Sequence, residues 1–172
     1  FCMLNDQAIG ARYLQQKGLA KKILIVDLDV HQGNGTAEIF KNDTSVFTFS
    51  MHGKSNYPFI KETSDLDIAL ENDTKDNEYL SILKETLPKL INQEKPDFIY
   101  YLCGVDVIET DKLGKLGLTI AGCKERDKFV LQTSFDLKIP VMCSMGGGYS
   151  KDINIIVNAH ANTFRLAQEI YF

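Results

Sequence analysis

Four short runs of consecutive apolar residues punctuate the chain: Lys22–Asp27, Val46–Ser50, Phe98–Leu102 and Val141–Ser144. A half-exposed strand alternates apolar with polar residues. These runs do not, so they are predicted to be strands buried on both faces. Between and around them lie stretches with helical spacing, at about Asp6 to Gln16, Glu78 to Gln93, Ala121 to Leu137 and Asp152 to Tyr171. In the second of these, Leu80, Leu83, Leu87, Leu90 and Ile91 recur at the interval that lines one helix face. Strands separated by helices predict an α/β fold: βαβ units building a parallel sheet with helices on both sides, three layers in all. The segment Asn56 to Asp76, polar and containing Pro58, reads as a long connection, a kind that is often functional. With no internal repeat, low-complexity tract or linker, residues 1–172 are expected to belong to one domain.

Composition narrows the function classes. A net charge of -4 with no basic stripe argues against a nucleic-acid surface; the Lys21-Lys22 pair simply flanks a strand. The four cysteines, Cys2, Cys103, Cys123 and Cys143, form no C-x-x-C pair, and Cys103 and Cys143 fall in apolar runs. Reduced thiols in a cytoplasmic protein are the expectation. No apolar stretch approaches the roughly 20 residues that span a bilayer, and no signal peptide opens the chain, so no membrane partner is expected. The first residue is Phe1, before which an initiator methionine is poorly removed; the chain is expected to begin inside a longer protein.

In a parallel α/β sheet, ligands bind beyond the carboxyl ends of the strands. Three of the predicted strands run there into polar or glycine-rich segments: Asp27 to Gly35, Cys103 to Asp111 and Ser144 to Tyr149. Continued period-two alternation would put Asp27, Asp29 and His31 on one side, with Leu28 and Val30 on the other. Two carboxylates and an imidazole so placed need protons or a cation, and their oxygen and nitrogen donors suit zinc. The alternative is that the aspartates cap a helix beginning near Gly35 and bond loop amides. Asp106 either joins them, leaving a zinc position open for water, or bonds backbone amides in a turn. Gly146-Gly147-Gly148-Tyr149 either brings a phenol over the strand ends, where it can donate to a developing oxyanion, or makes a strand-to-helix turn with a packed tyrosine. It is not a phosphate loop, since no lysine follows in that spacing. His160, mid-helix among Val157, Ala161 and Phe164, reads as structural, and His52 either lines the site or belongs to a loop. Neither a Ser-His-Asp order nor a nucleophile elbow occurs.

Taken in order, these segments resemble the zinc-dependent histone deacetylase family, including its bacterial acetoin-utilisation and acetylpolyamine-hydrolase relatives. Phe1-Cys-Met-Leu-Asn-Asp6 is similar to the family's G-F-C-x-x-N-D segment without its first glycine. Ile25 to Gly35 is similar to its metal-binding strand, Gly104-Val-Asp106 through Asp111-Lys-Leu-Gly114 to its second aspartate segment, and Gly146 to Tyr149 to its tyrosine loop. The stretch from Asp106 to Arg126, with Leu118-Thr-Ile-Ala-Gly122, looks closest to the class IV branch. The resemblance implies the arginase/deacetylase fold, incomplete at the N-terminus. It implies that Asp29, His31 and Asp106 ligate Zn2+ (or Fe2+) and that Tyr149 polarises the acyl carbonyl. Phe1, Tyr57, Gly147 and Gly148 would line the acyl-lysine channel. Asp27, Ser50 and Met51, with backbone oxygens of Asp29 and His31, would hold a buried K+ or Na+. Asp27 would also orient one of two catalytic histidines, and Asn34 stands where many members carry an aspartate facing the other.

Those two histidines are the departure. The family carries them as an H-H pair just before the G-F-C segment, whereas the three histidines here are His31, His52 and His160. Losing a general base typically costs a factor of about a hundred to ten thousand in rate, so the 172 residues alone are expected to be impaired. The expected reaction is hydrolysis of an acetylated lysine or small acetylated amine, or of a longer acyl chain, to the acid and free amine. The rival expectations are a non-catalytic metal- or acyl-ligand-binding module and a hydrolase of another amide or ureido substrate.

Overall fold

A computed structural model of the protein describes residues 3–172. The run at Ile23–Asp27 forms β1, buried at every position, and it lies at the centre of a five-stranded parallel sheet. The other strands are β2 (Val46–Gly53), β3 (Leu66–Leu70), β4 (Phe98–Leu102) and β5 (Val141–Ser144), in the order β3-β2-β1-β4-β5. Among the described residues, five helices accompany them: α1 (Asp6–Gln16), α2 (Asn34–Phe40), α3 (Asp76–Glu94), α4 (Ile120–Asp136) and α5 (Ile153–Tyr171).

Successive residues of β1 face opposite layers, which is why the run is apolar throughout. Ile23 and Ile25 pack with Ala8 and Ala11 of α1 and Phe40 of α2. Leu24 and Val26 pack with Leu83 and Leu87 of α3, Val130 of α4 and Ala159 of α5. The result is the expected three-layer parallel sheet. Each fully buried aliphatic side chain contributes about 1.5–3 kcal/mol of burial free energy, so a polar residue in β1 would be costly on either face.

The expectation of four strands needs correction, because the segment Asn56 to Asp76 is not one long connection. It contains β3 and the first residue of α3. β3 pairs with β2 from Phe49↔Leu66 to Gly53↔Leu70, as an edge strand whose residues are mostly half-buried or exposed. One-sided pairing removes the need for a continuous apolar run, and with it the signal. Polar contacts hold it instead: Asp65 accepts from the amide and hydroxyl of Thr48 at 2.7 and 2.8 Å. Three helical caps are also side-chain made, with Asn5 accepting from Ala8 N, Thr119 from Gly122 N and Asp152 from Asn154 N.

From β1 the chain moves outward through β2 to β3; from β4 it moves the other way to β5. The reversal therefore falls between β1 and β4, which are hydrogen-bonded neighbours with Asp27 opposite Leu102. The crevice beyond such a switch point is where open α/β sheets bind ligands.

Candidate metal centre

The last ladder bond between the two central strands runs from Leu28 N to Leu102 O at 3.1 Å. Past it the chains part. Asp27 Oδ1 accepts from Asp29 N at 3.1 Å, which bends the chain, while Leu28 and Val30 are fully buried and pin the bend to the core. Asp29 and His31 are thereby turned to the crevice. His31 N donates to Asp29 Oδ1 at 2.8 Å, and Asp106, four residues beyond β4, accepts from Val30 N at 3.1 Å. His31 Nδ1 lies 3.0 Å from Asp29 Oδ1 and 3.2 Å from Asp106 Oδ2. One donor atom from each residue falls within 4.8 Å of the others, so these three can hold a metal ion.

The donor set tests that fit. Hydrogen bonding to Asp106, then to Asp29, pushes the His31 imidazole up to about 10 against the opposing effect of partial burial. Burial, foremost, raises the Asp106 carboxyl. Both directions favour a proton held within the cluster where no cation compensates its carboxylates. Oxygen and imidazole donors in this arrangement suit zinc or a similar divalent ion, with Nδ1 as the ligating nitrogen once deprotonated.

Glycines make room for the carboxylates. A Cβ on Gly104 would lie 2.3 Å from Asp29 Oδ2, and one on Gly147 would lie 2.2 Å from Asp106 Oδ2. Gly147 and Gly148 also have φ of +59° and +109°, conformations that L side chains rarely adopt. The tyrosine loop thus closes directly over the cluster. It is tied down from three sides: Asp111 Oδ2 accepts from Tyr149 N at 2.6 Å, His160 Nε2 lies 3.2 Å from Gly147 O, and the Thr110 and Ser150 hydroxyls are 2.8 Å apart. The Tyr149 side chain is half exposed at the rim.

Two expectations change. The strand ends at Asp27, so period-two alternation does not continue to His31. Asp27 lies behind the cluster, 3% exposed, with Gly33 so close that a Cβ there would sit 2.3 Å from Asp27 Oδ2. Burial, then the charge of Asp29, pushes the Asp27 carboxyl well up. His52 is neither a loop residue nor a crevice residue: it is buried within β2, with Nδ1 2.9 Å from Ser50 Oγ. Ser50 is opposite Asp27 in register and Met51 is fully buried beside it. Asn34, half-buried, begins α2, which starts one residue before the position considered from sequence. Tyr57 lies in the β2–β3 connection with its ring edge-on to Phe59. A Cβ on Gly148 would meet Ile156 and Val105 at 2.7 and 2.9 Å. Phe1 and Cys2 lie outside the described residues, and Cys103, Cys123 and Cys143 are free. The anchoring role of Asp111 and the clearance that Gly104 gives Asp29 were not assigned from sequence; their signal was position, since both lie within the Asp106 segment.

A parallel α/β sheet with an Asp-His-Asp cluster at its switch point defines the class of protein. The family model for the histone deacetylase domain matches residues 1–164, and the chain belongs to that family. It is 50% identical over 171 residues to an uncharacterised protein of Picosynechococcus sp., covering 99% of this chain and 57% of that protein. It is 31% identical over 176 residues to the acetoin utilization protein AcuC of Staphylococcus aureus, covering 95% of this chain and 45% of AcuC. Among solved structures it resembles the HD domain of HDA15 with a TM-score of 0.79 at 27% identity, covering 98% of this chain and 51% of that one. The chain spans about half the length of these relatives.

Proposed function

We propose that this chain carries the metal-binding and oxyanion-stabilising part of a hydrolase that removes acetyl or longer acyl groups from lysine or a small amine. The observation that carries the proposal is the convergence of Asp29, His31 and Asp106 beneath the glycine-tyrosine loop. These three residues would hold the ion, zinc or ferrous iron, since carboxylate oxygen and imidazole nitrogen donors suit either. When bound, such an ion supplies Lewis acidity toward a carbonyl and a water. Tyr149, at the rim, donates its phenolic hydrogen bond to the oxygen on which charge develops as the acyl carbon becomes tetrahedral. In this reading Gly147, Gly148 and Tyr57 would line the channel that takes the acyl group, as the family resemblance implies.

Asp27 and Asn34 would orient imidazoles, which in this family form the His-His pair. No such pair occurs in the 172 residues, so none of them is assigned the proton-transferring role. Buried Asp27, Ser50 and Met51, with backbone oxygens of Asp29 and His31, would hold K+ or Na+, whose charge would stabilise the Asp27 carboxylate. The three free cysteines support a cytoplasmic setting. Among the described residues, no helix is long and apolar enough to cross a membrane.

Elemental analysis tests the central claim. The purified chain, equilibrated with zinc and desalted, should retain about one zinc ion, as a three-ligand hydrolytic site does. Asp106→Ala should retain none while keeping its circular dichroism spectrum. A folded wild-type chain without zinc would sink the proposal.

A further inference from the structure

Helix α4 presents Cys123, Val130 and Leu131 to the core, and in the same stripe stand Arg126 and Asp127, both fully buried. A buried guanidinium is costly unless its donors are paired. Nε donates to Asp127 Oδ1 at 2.9 Å, and Nη2 lies 2.8 Å from the same oxygen. Asp127 is itself held by the hydroxyls of Tyr101 at 2.6 Å and of Thr163, on α5, at 2.7 Å. Nη1 does something else. It donates to two backbone carbonyls, Leu28 O at 3.1 Å and Gly104 O at 2.7 Å.

Where those carbonyls lie is decisive. Leu28 sits between Asp27 and Asp29, and Gly104 stands two residues before Asp106. The ladder between β1 and β4 ends at the Leu28 N–Leu102 O bond. Beyond it, one nitrogen of Arg126 grips both strand extensions at the point where they part. Apolar residues of similar volume would pack as well or better than a buried ion pair, so packing alone does not account for it. We propose that Arg126, oriented by Asp127 and Thr163, is the positioning residue of the metal centre. It sets the separation of the Asp29–His31 segment from Asp106, and so the spacing of the three donor atoms, without touching ion or substrate. This rests on the metal-binding role of the cluster.

The test compares wild type, Arg126→Lys, Thr163→Val and, as a core-destabilising control remote from these hydrogen bonds, Leu83→Ala. Zinc affinity is measured by chelator competition at a temperature where every variant is folded, and the visible absorption of the Co2+-loaded chain reports ligand geometry. Lysine cannot hold two carbonyls and a carboxylate with the planar fork of arginine. Loss of a group that orients metal ligands typically costs about 10–100-fold in affinity, so Arg126→Lys should lose that much and shift the Co2+ bands. Thr163→Val should move both in the same direction by less, and Leu83→Ala should move neither. If Arg126→Lys does not fold, Thr163→Val carries the test. Affinity and spectrum equal to wild type in the folded variants overturn the inference and leave the metal site standing. A wild-type chain that binds neither zinc nor cobalt overturns both together.

Discussion

His31 keeps its proton up to about pH 10 between its two carboxylates, yet it can offer Nδ1 to a metal only after losing that proton. Zinc binding near neutral pH should therefore release about one proton from this residue. Because the metal-free pKa lies above the working range, apparent affinity should rise by about tenfold per pH unit from near 6.5 toward 9 and flatten as pH approaches 10. Calorimetric titration in buffers of different ionisation enthalpy measures the proton count, and a count near zero would show that His31 is neutral before zinc arrives. Without metal the sign is opposite: the contact between imidazolium and carboxylates stabilises the fold fully below the ordinary histidine value of 6.5 and is lost as pH rises through about 10. At this scale the ligands were legible because Asp29, His31 and Asp106 each follow an apolar run into a polar segment. The place of Asp27 was not, since sequence alternation does not say where a strand stops. Arg126 was not legible, because it stands in the charged run Lys124-Glu125-Arg126-Asp127-Lys128, which gives no sign that two of its members are fully buried.

Among the elements, the loops after β4 and β5 act as a pair. Asp111 accepts from Leu113 N and Gly114 N through Oδ1 and from Tyr149 N through Oδ2, so one carboxylate both shapes its own turn and holds the tyrosine loop. A hydrogen bond to a charged group contributes about 1.5–3 kcal/mol. Asp111→Ala should accordingly speed hydrogen exchange at the Tyr149 amide by about tenfold or more, with the amides of β1 unchanged. Unchanged exchange at Tyr149 would mean that His160 and the Thr110–Ser150 contact hold the loop without it. The central strands were legible for the same reason they are stable: burial on both faces leaves no polar position. β3 was not, because an edge strand held by Asp65 and Thr48 has the composition of a loop. The seven-residue α2 is too short to show a periodicity of its own.

Over the whole molecule, the cluster joins the two arms of the sheet, since Asp29 and His31 follow β1 and Asp106 follows β4 on opposite sides of the switch point. An ion bound there exists only in the folded state and should stabilise by mass action. At free zinc about a hundredfold above the dissociation constant the gain is about 2.7 kcal/mol. A domain of this size shifts its midpoint by about 2–4 °C per kcal/mol, which gives a rise of about 5–10 °C. Asp106→Ala should show no rise under the same conditions, because the second arm then offers no ligand. Differential scanning calorimetry with and without zinc separates the outcomes. An equal rise in wild type and variant would place the ion elsewhere, with the free thiols of Cys103, Cys123 and Cys143 as the first alternative donors. A rise confined to wild type would tie the stability of the central sheet to the residues proposed to hold its catalytic ion.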